Sequence, residues 1–143
     1  MENNYEICIP TSDEAELLDG KLIEEIQKVK PFTLNQAFVP INICAKQNGE
    51  IVSGVLAYAV MWDILYIDTV WTREDCRKKG LASRLIKEVE KRALELGCKI
   101  VRLSTYDFQA PLFYKKLGYT KFGEIDYGHT KEHFYYKRIM EEL

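Results

Sequence analysis

The stretch from Ile64 to Thr105 constrains the fold more than any other part of the sequence. Ile64-Leu65-Tyr66-Ile67-Asp68-Thr69-Val70-Trp71-Thr72 is an apolar, aromatic and β-branched run, which reads as a strand. A polar turn from Arg73 to Lys79 follows, and then Gly80. Leu81, Leu85, Val89, Ala93 and Leu96 recur at helical spacing, with Ser83, Arg84, Lys87, Glu88, Lys91 and Glu95 on the other side. Gly97 stands where a C-terminal cap belongs. Lys99 to Thr105 is a second, shorter apolar strand. Strand, amphipathic helix and strand in sequence predict a βαβ crossover, with strands 64–72 and 99–105 as parallel neighbours.

The remaining segments add strands and helices to that unit. Tyr5 to Pro10 reads as a first strand. Thr11 and Glu14 form a Thr-x-x-Glu capping box that opens a helical region from Ser12 to about Lys30, with Gly20 placed to divide it. Pro31 to Pro40 reads as an ordered, partly exposed loop. Ile41 to Lys46 and Glu50 to Met61 are strands joined by Gln47-Asn48-Gly49, and Asn-Gly between apolar runs is a strong hairpin signal. Gln109 to Leu117 reads as a short helix stopped by Gly118, and Tyr119 to Ile125 and His133 to Met140 as the last strands. The order β, α, β-β-β, α, β, α, β-β predicts an α/β (α+β) fold forming one domain over residues 1–143.

Composition narrows the function classes. A chain of 143 residues buries enough surface to hold a core without disulfides or metal. Lys plus Arg number 20 and Asp plus Glu 22, for a net charge of −2, which argues against a protein that coats nucleic acid. No apolar run reaches the ~18 residues of a membrane span. Met1-Glu2-Asn3-Asn4-Tyr5-Glu6 lacks the basic and apolar regions of a signal peptide, so the expected location is cytoplasmic. Cys8, Cys44, Cys76 and Cys98 form no Cys-x-x-Cys and are expected to be free thiols, buried or half-buried. Cys76 stands out because Arg77, Lys78 and Lys79 follow it, and positive neighbours lower a thiol pKa.

Those three cations open Arg77-Lys78-Lys79-Gly80-Leu81-Ala82-Ser83, the turn between strand and long helix. The first N–H groups of a helix lack internal partners, and the helix dipole adds positive charge there. Gly80 lets the backbone bend, and Ala82 is small at the next close approach. The segment is built as an anion cradle, and a diphosphate suits it better than a lone carboxylate. A solvated basic loop is the plainer alternative. The segment is neither a Walker A loop nor Gly-x-Gly-x-x-Gly.

Arg77-x-x-Gly80-x-Ala82 resembles the Gln/Arg-x-x-Gly-x-Gly/Ala signature of the Gcn5-related N-acetyltransferases. Phe108-Gln109-Ala110-Pro111-Leu112-Phe113-Tyr114-Lys115-Lys116-Leu117-Gly118-Tyr119 is similar to that family's second acetyl-CoA motif, at the usual separation. Small bacterial members carry the closest pattern, including Gly-His-Thr near the C-terminus. The resemblance implies a mixed, mostly antiparallel central sheet with a splayed parallel strand pair and flanking helices. It implies acetyl-CoA as co-substrate, with no metal. Backbone N–H groups from Arg77 through Ser83 would hold the pyrophosphate, and Val70, Trp71 and Thr72 would pair with the pantetheine arm. Many members place an Asn on that arm at the position of Asp107; an acid stands here, and Gln109 is the substitute.

The implied reaction is acetyl transfer from the thioester to a primary amine of a small molecule or peptide. An alkyl amine near pKa ~10 must lose a proton to attack. A backbone N–H at Val70 or Trp71 would stabilise the oxyanion. Tyr114 matches the family tyrosine near the thioester sulfur and would protonate the leaving thiolate. Asp68, a carboxylate inside an apolar strand, is the candidate base or amine anchor. Many members use a Glu on this strand; residues 64–72 contain none, so a proton relay through water stays open. Phe32, Tyr66, Tyr58, Trp62 and the segment Tyr127 to His133 are candidates for acceptor recognition. A fold relative that binds CoA without turnover is the alternative, and pairing of two chains as a homodimer through the C-terminal strands is left open.

One motif competes. His129-Thr130-Lys131-Glu132-His133 matches His-x-x-Glu-His, which needs a helix to bring both imidazoles to one metal. Gly128 precedes it and Phe134-Tyr135-Tyr136-Lys137 follows, so it reads as a turn entering a strand. In an extended chain the two imidazoles would lie ~13 Å apart.

Overall fold

Asn48 and Gly49 both take positive φ, 53° and 78°, the backbone that a tight hairpin turn requires of its two central residues. They join β1 (Phe38–Gln47) to β2 (Glu50–Val60) in antiparallel register from Phe38↔Val60 to Gln47↔Glu50. The computed structural model describes residues 4–139. Residues up to Phe32 form one compact unit and those from Thr33 another.

The first unit contains α1 (Ser12–Val29). Its capping box forms: Glu14 N–H donates to Thr11 Oγ1 at 3.2 Å, and Thr11 N–H donates to Glu14 Oε1 at 2.9 Å. Gly20 does not divide the helix, since one interior glycine costs only ~1 kcal/mol against alanine. Tyr5 to Pro10 forms no strand, which corrects the sequence expectation. The alternation of Tyr5, Ile7 and Ile9 supplies a strand pattern, but ladder hydrogen bonds must come from a neighbouring edge.

In the second unit, β3 (Ile64–Thr72), α2 (Leu81–Glu95), β4 (Ile100–Tyr106), α3 (Pro111–Lys116), β5 (Thr120–Asp126) and β6 (Lys131–Arg138) complete a six-stranded sheet ordered β1-β2-β3-β4-β6-β5. Every neighbouring pair is antiparallel except β3 and β4, so the expected crossover is present. The last strand was expected at His133 to Met140; β6 begins two residues earlier, and Met140 lies outside the described residues. α2 buries Leu85, Ile86, Val89 and Ala93 among Val55, Ala57, Leu65, Ile67 and Val101 of the sheet. The Asp63 carbonyl accepts from Lys99 N–H at 2.8 Å and Ile100 N–H at 3.2 Å, which sets where β4 starts beside β3.

Cys76 and Cys98 are buried, whereas Cys8 and Cys44 are exposed, contrary to the expectation for the latter two. Cys44 sits on β1 pointing away from the core, a consequence of strand alternation that composition alone cannot fix. The cation nearest Cys76 is not from the basic triplet: Arg73 Nη2 lies 3.7 Å from its Sγ. Among the described residues, no helix is long and apolar enough to cross a membrane.

Candidate active site

The parallel ladder between β3 and β4 is only three pairs long: Ile64↔Ile100, Leu65↔Val101 and Tyr66↔Arg102. Past that point β3 stays paired with β2 as far as Thr72, and β4 stays paired with β6 as far as Tyr106. The two strands therefore fork. Asp68 sits at the fork, skipped by the register as it passes from Ala57↔Ile67 to Leu56↔Thr69. One unpaired residue of this kind is a β-bulge, which bends its strand and re-aims its side chains. Past the last pair the two strands no longer bond each other, and at the far end Thr72 O accepts from Arg77 Nε and Tyr106 N–H donates to Gln109 Oε1.

A cleft of about 750 Å³ fills the fork. Its β3 wall runs from Tyr66 through Asp68, Val70, Trp71 and Thr72; its β4 wall includes Ser104 and Tyr106; Gln109 and Tyr114 close it from the α3 side. Nine of the residues singled out from the sequence thus line one cavity: Tyr66, Asp68, Val70, Trp71, Thr72, Arg77, Ala82, Gln109 and Tyr114. Phe32 ends the first unit, where its backbone N–H donates to Gln27 Oε1 at 2.5 Å.

The basic turn closes the wide end of the fork. Gly80 is the N-cap of α2 at φ 76°, in the left-handed region, and Lys78 reaches φ 63°. Two left-handed residues so close together fold the turn back on itself. Arg84 N–H is bonded to Gly80 O at 3.1 Å, so the N–H groups of Leu81, Ala82 and Ser83 precede the first intrahelical bond and are open to a ligand. Arg77 clamps the turn to β3, its Nε donating to Thr72 O at 2.9 Å. Lys78 and Lys79 are exposed and form no ion pair among the described residues.

Tyr114 is 7% exposed, held edge-on by Phe113 and Tyr119 with ring centroids 5.1 and 5.9 Å away, and by Tyr135 at 6.1 Å. Tyr119 is itself anchored, its hydroxyl donating to Glu90 Oε2 at 2.6 Å. Burial pushes the Tyr114 phenol up to about 12. Its ring is fixed by packing while its edge reaches the cleft. Gln109 Oε1 accepts from Tyr106 N–H at 2.9 Å and Thr105 Oγ1 at 3.1 Å, which leaves its amide N–H₂ for a ligand.

Two residues take roles that the sequence did not assign them. Glu132 lines the cleft from β6, opposite Tyr106 of β4. Its Oε2 accepts from Ser104 Oγ at 2.6 Å and its Oε1 from Tyr127 Oη at 2.7 Å, and these two bonds hold its carboxyl below the usual glutamate range. Asp107 turns away from the cofactor position its place in the motif implies. It accepts from the His133 imidazole and, through Oδ2, from Lys131 N–H at 3.0 Å. The His133 bond is the main reason its carboxyl stays below the usual range. His-x-x-Glu-His thus runs from the β5–β6 bend into β6, as expected, and its second histidine is tied to Asp107. Among the described residues, no group of His, Cys, Asp and Glu is arranged to hold a metal.

The geometry has close counterparts among known proteins. A family model described as "Acetyltransferase (GNAT) family" matches residues 10–119. Blasticidin-S acetyltransferase of Streptomyces morookaense is 42% identical over 74 residues, 51% of this chain and 54% of that protein, so the chain spans about half the length of the curated relative it matches. The crystal structure of an acetyltransferase from Bacillus cereus ATCC 14579 is 31% identical, with a TM-score of 0.85 over 94% of this chain and 98% of that one. An aminoglycoside 6'-N-acetyltransferase crystallised with coenzyme A shares the fold at 18% identity and TM-score 0.65, over 90% of each chain.

Proposed function

This chain belongs to the acetyltransferase (GNAT) family, and from that premise we propose that it transfers an acetyl group from acetyl-CoA to a primary amine of a small molecule or peptide. The observation that carries this reading is the fork: the parallel pair β3–β4 stops after Tyr66↔Arg102 and opens onto a helix N-terminus preceded by Lys78 and Lys79. A long ligand with an anionic end and an amide-bearing arm matches both parts.

The residues present fit such a group. The N–H groups of Leu81, Ala82 and Ser83 would hold the diphosphate, with Lys78 and Lys79 adding positive charge to the turn. Arg77 serves chiefly to fix the turn through Thr72 O. The stretch of Val70, Trp71 and Thr72 that lines the fork would offer backbone hydrogen bonds to the arm, and Gln109 would add its amide nitrogen. When bound, acetyl-CoA supplies the thioester acetyl group. Tyr114, which lines the cleft, keeps its phenol proton throughout the neutral range, since burial raises its pKa to about 12, and would release it as general acid. Asp68, carried by the bulge into the cleft, takes the amine proton or anchors the amine. The curated relative's name, an acetyltransferase of a small molecule, supports that class of acceptor.

Thiol release from acetyl-CoA over a panel of primary amines tests the reading. Amine-dependent release is expected. Tight CoA binding by titration calorimetry with no release from any amine would replace it with a CoA-binding module.

A further inference from the structure

Glu132 is a carboxylate in a reaction cleft with no cation of its own. Among the described residues no Lys, Arg or His forms an ion pair with it. Its two partners, Ser104 and Tyr127, are neutral hydroxyls. Each carboxylate oxygen has two acceptor sites, and each uses one. Two acceptor positions and a full negative charge are therefore left for a ligand.

Its position is fixed from three sides. Ser104 holds one oxygen from β4 and Tyr127 the other from the β5–β6 turn. The ladder seats Glu132 against Tyr106. Tyr106 in turn lies parallel to Phe108, with ring centroids 5.5 Å apart and planes 1° from parallel. Both rings line the cleft, so an apolar slab runs beside the carboxylate. Across the fork, Tyr66 and Asp68 line the β3 wall of the same cleft.

We propose that Glu132, held by Ser104 and Tyr127, recognises a second positive charge on the acceptor, so that the preferred substrate is a small molecule with two cationic groups joined by an apolar spacer. This rests on the acetyl-transfer reading for the identity of the reacting amine. The charge assignment is specific: Glu132 binds the cation that is not acetylated, because a carboxylate held ionised by two hydroxyl donors is a weak base. The carbon spacer lies along Tyr106 and Phe108.

The test compares 1,5-diaminopentane with pentylamine, which differ by one ammonium group. Titration calorimetry with the full chain, with and without saturating CoA, reads binding directly and needs no turnover. The wild-type chain is expected to prefer the diamine by about tenfold or more, the range of a charge-assisted hydrogen bond. Glu132→Gln keeps the shape and an acceptor for the hydroxyls but removes the charge, and the preference should collapse towards one. Tyr127→Phe, at an exposed side chain, keeps the charge but frees the carboxylate, and should reduce the preference part way. Equal affinities in wild type, or an undiminished preference in Glu132→Gln, would overturn the proposal. Diamine preference without acetyl transfer would keep Glu132 as the recognition residue while removing the enzymatic reading.

Discussion

Tyr66 and Arg102 are the last facing pair of the parallel ladder, and the Arg102 guanidinium carbon lies 4.8 Å from the Tyr66 ring centroid. The contact closes the ladder where the fork begins. Tyr66 also meets Tyr58 at 5.3 Å, and Tyr58 meets Phe38 at 5.8 Å, so the contact ends a row of rings across three strands. An exposed cation–π contact is worth about 0.5–1 kcal/mol. Arg102→Ala is expected to lower stability by about that amount in urea denaturation at constant slope. No change in midpoint would mean that the guanidinium is merely resting on the ring.

Gly80 is a test of backbone conformation alone. A Cβ built there meets nothing within 4 Å, so any cost of substitution comes from φ 76°, not from collision. Left-handed backbone costs a β-branched residue roughly 1–2 kcal/mol, and Asn less. Gly80→Val should weaken CoA binding in calorimetry by about tenfold, and Gly80→Asn by much less. Equal losses in both variants would point to steric blockage of the ligand and away from the cap geometry.

Tyr114→Phe removes one hydroxyl from a ring that three aromatic neighbours hold in place. Turnover should fall by about a hundredfold, the lower range for a lost general acid, with the KM for acetyl-CoA nearly constant. The phenol's pKa rises from the ordinary 10.0 to about 12, so wild-type rate should show no loss of Tyr114's proton between neutrality and pH 10.0. The sign for stability follows: a raised folded pKa means that the contribution is complete below pH 10.0 and is lost as pH climbs through about 12. An unchanged turnover in the Phe variant would remove Tyr114 from the chemistry.

Local signals proved readable in the sequence where one segment carried the whole of the information. Asn48-Gly49 fixed a hairpin, Thr11 and Glu14 a helix start, and Gly80 a bend, which is the left-handed N-cap of α2. The parallel pair of β3 and β4 followed from element order, because a helix between two strands permits little else. What was not legible depends on pairing between distant segments. The Asp68 bulge is a mismatch of β3 against β2, invisible in either strand alone. Glu132 reached the cleft only because β6 pairs with β4 in the register that sets it against Tyr106. Tyr5 to Pro10 had the pattern of a strand but forms none, and Asp107 occupied a cofactor motif while its carboxylate went to another strand.

That last contact makes a prediction about acid. Asp107 follows β4 directly, between the cleft residues Tyr106 and Phe108, and its bonds to His133 and Lys131 tie this segment to β6. The folded carboxyl is held below its ordinary 3.8, first by the His133 bond, so the unfolded chain binds the proton more readily. A depressed folded pKa gives a contribution that is present above 3.8 and disappears as pH falls through the lower folded value. Asp107→Asn should therefore melt below the wild type at pH 7, and the gap should close in strong acid. The side chain is close to solvent, so the gap should also narrow in high salt. Thermal melts of both chains at pH 7 and below 3.8 check the sign. Equal melting temperatures at pH 7 would show that the Asp107–His133 contact does not hold the cleft wall in place.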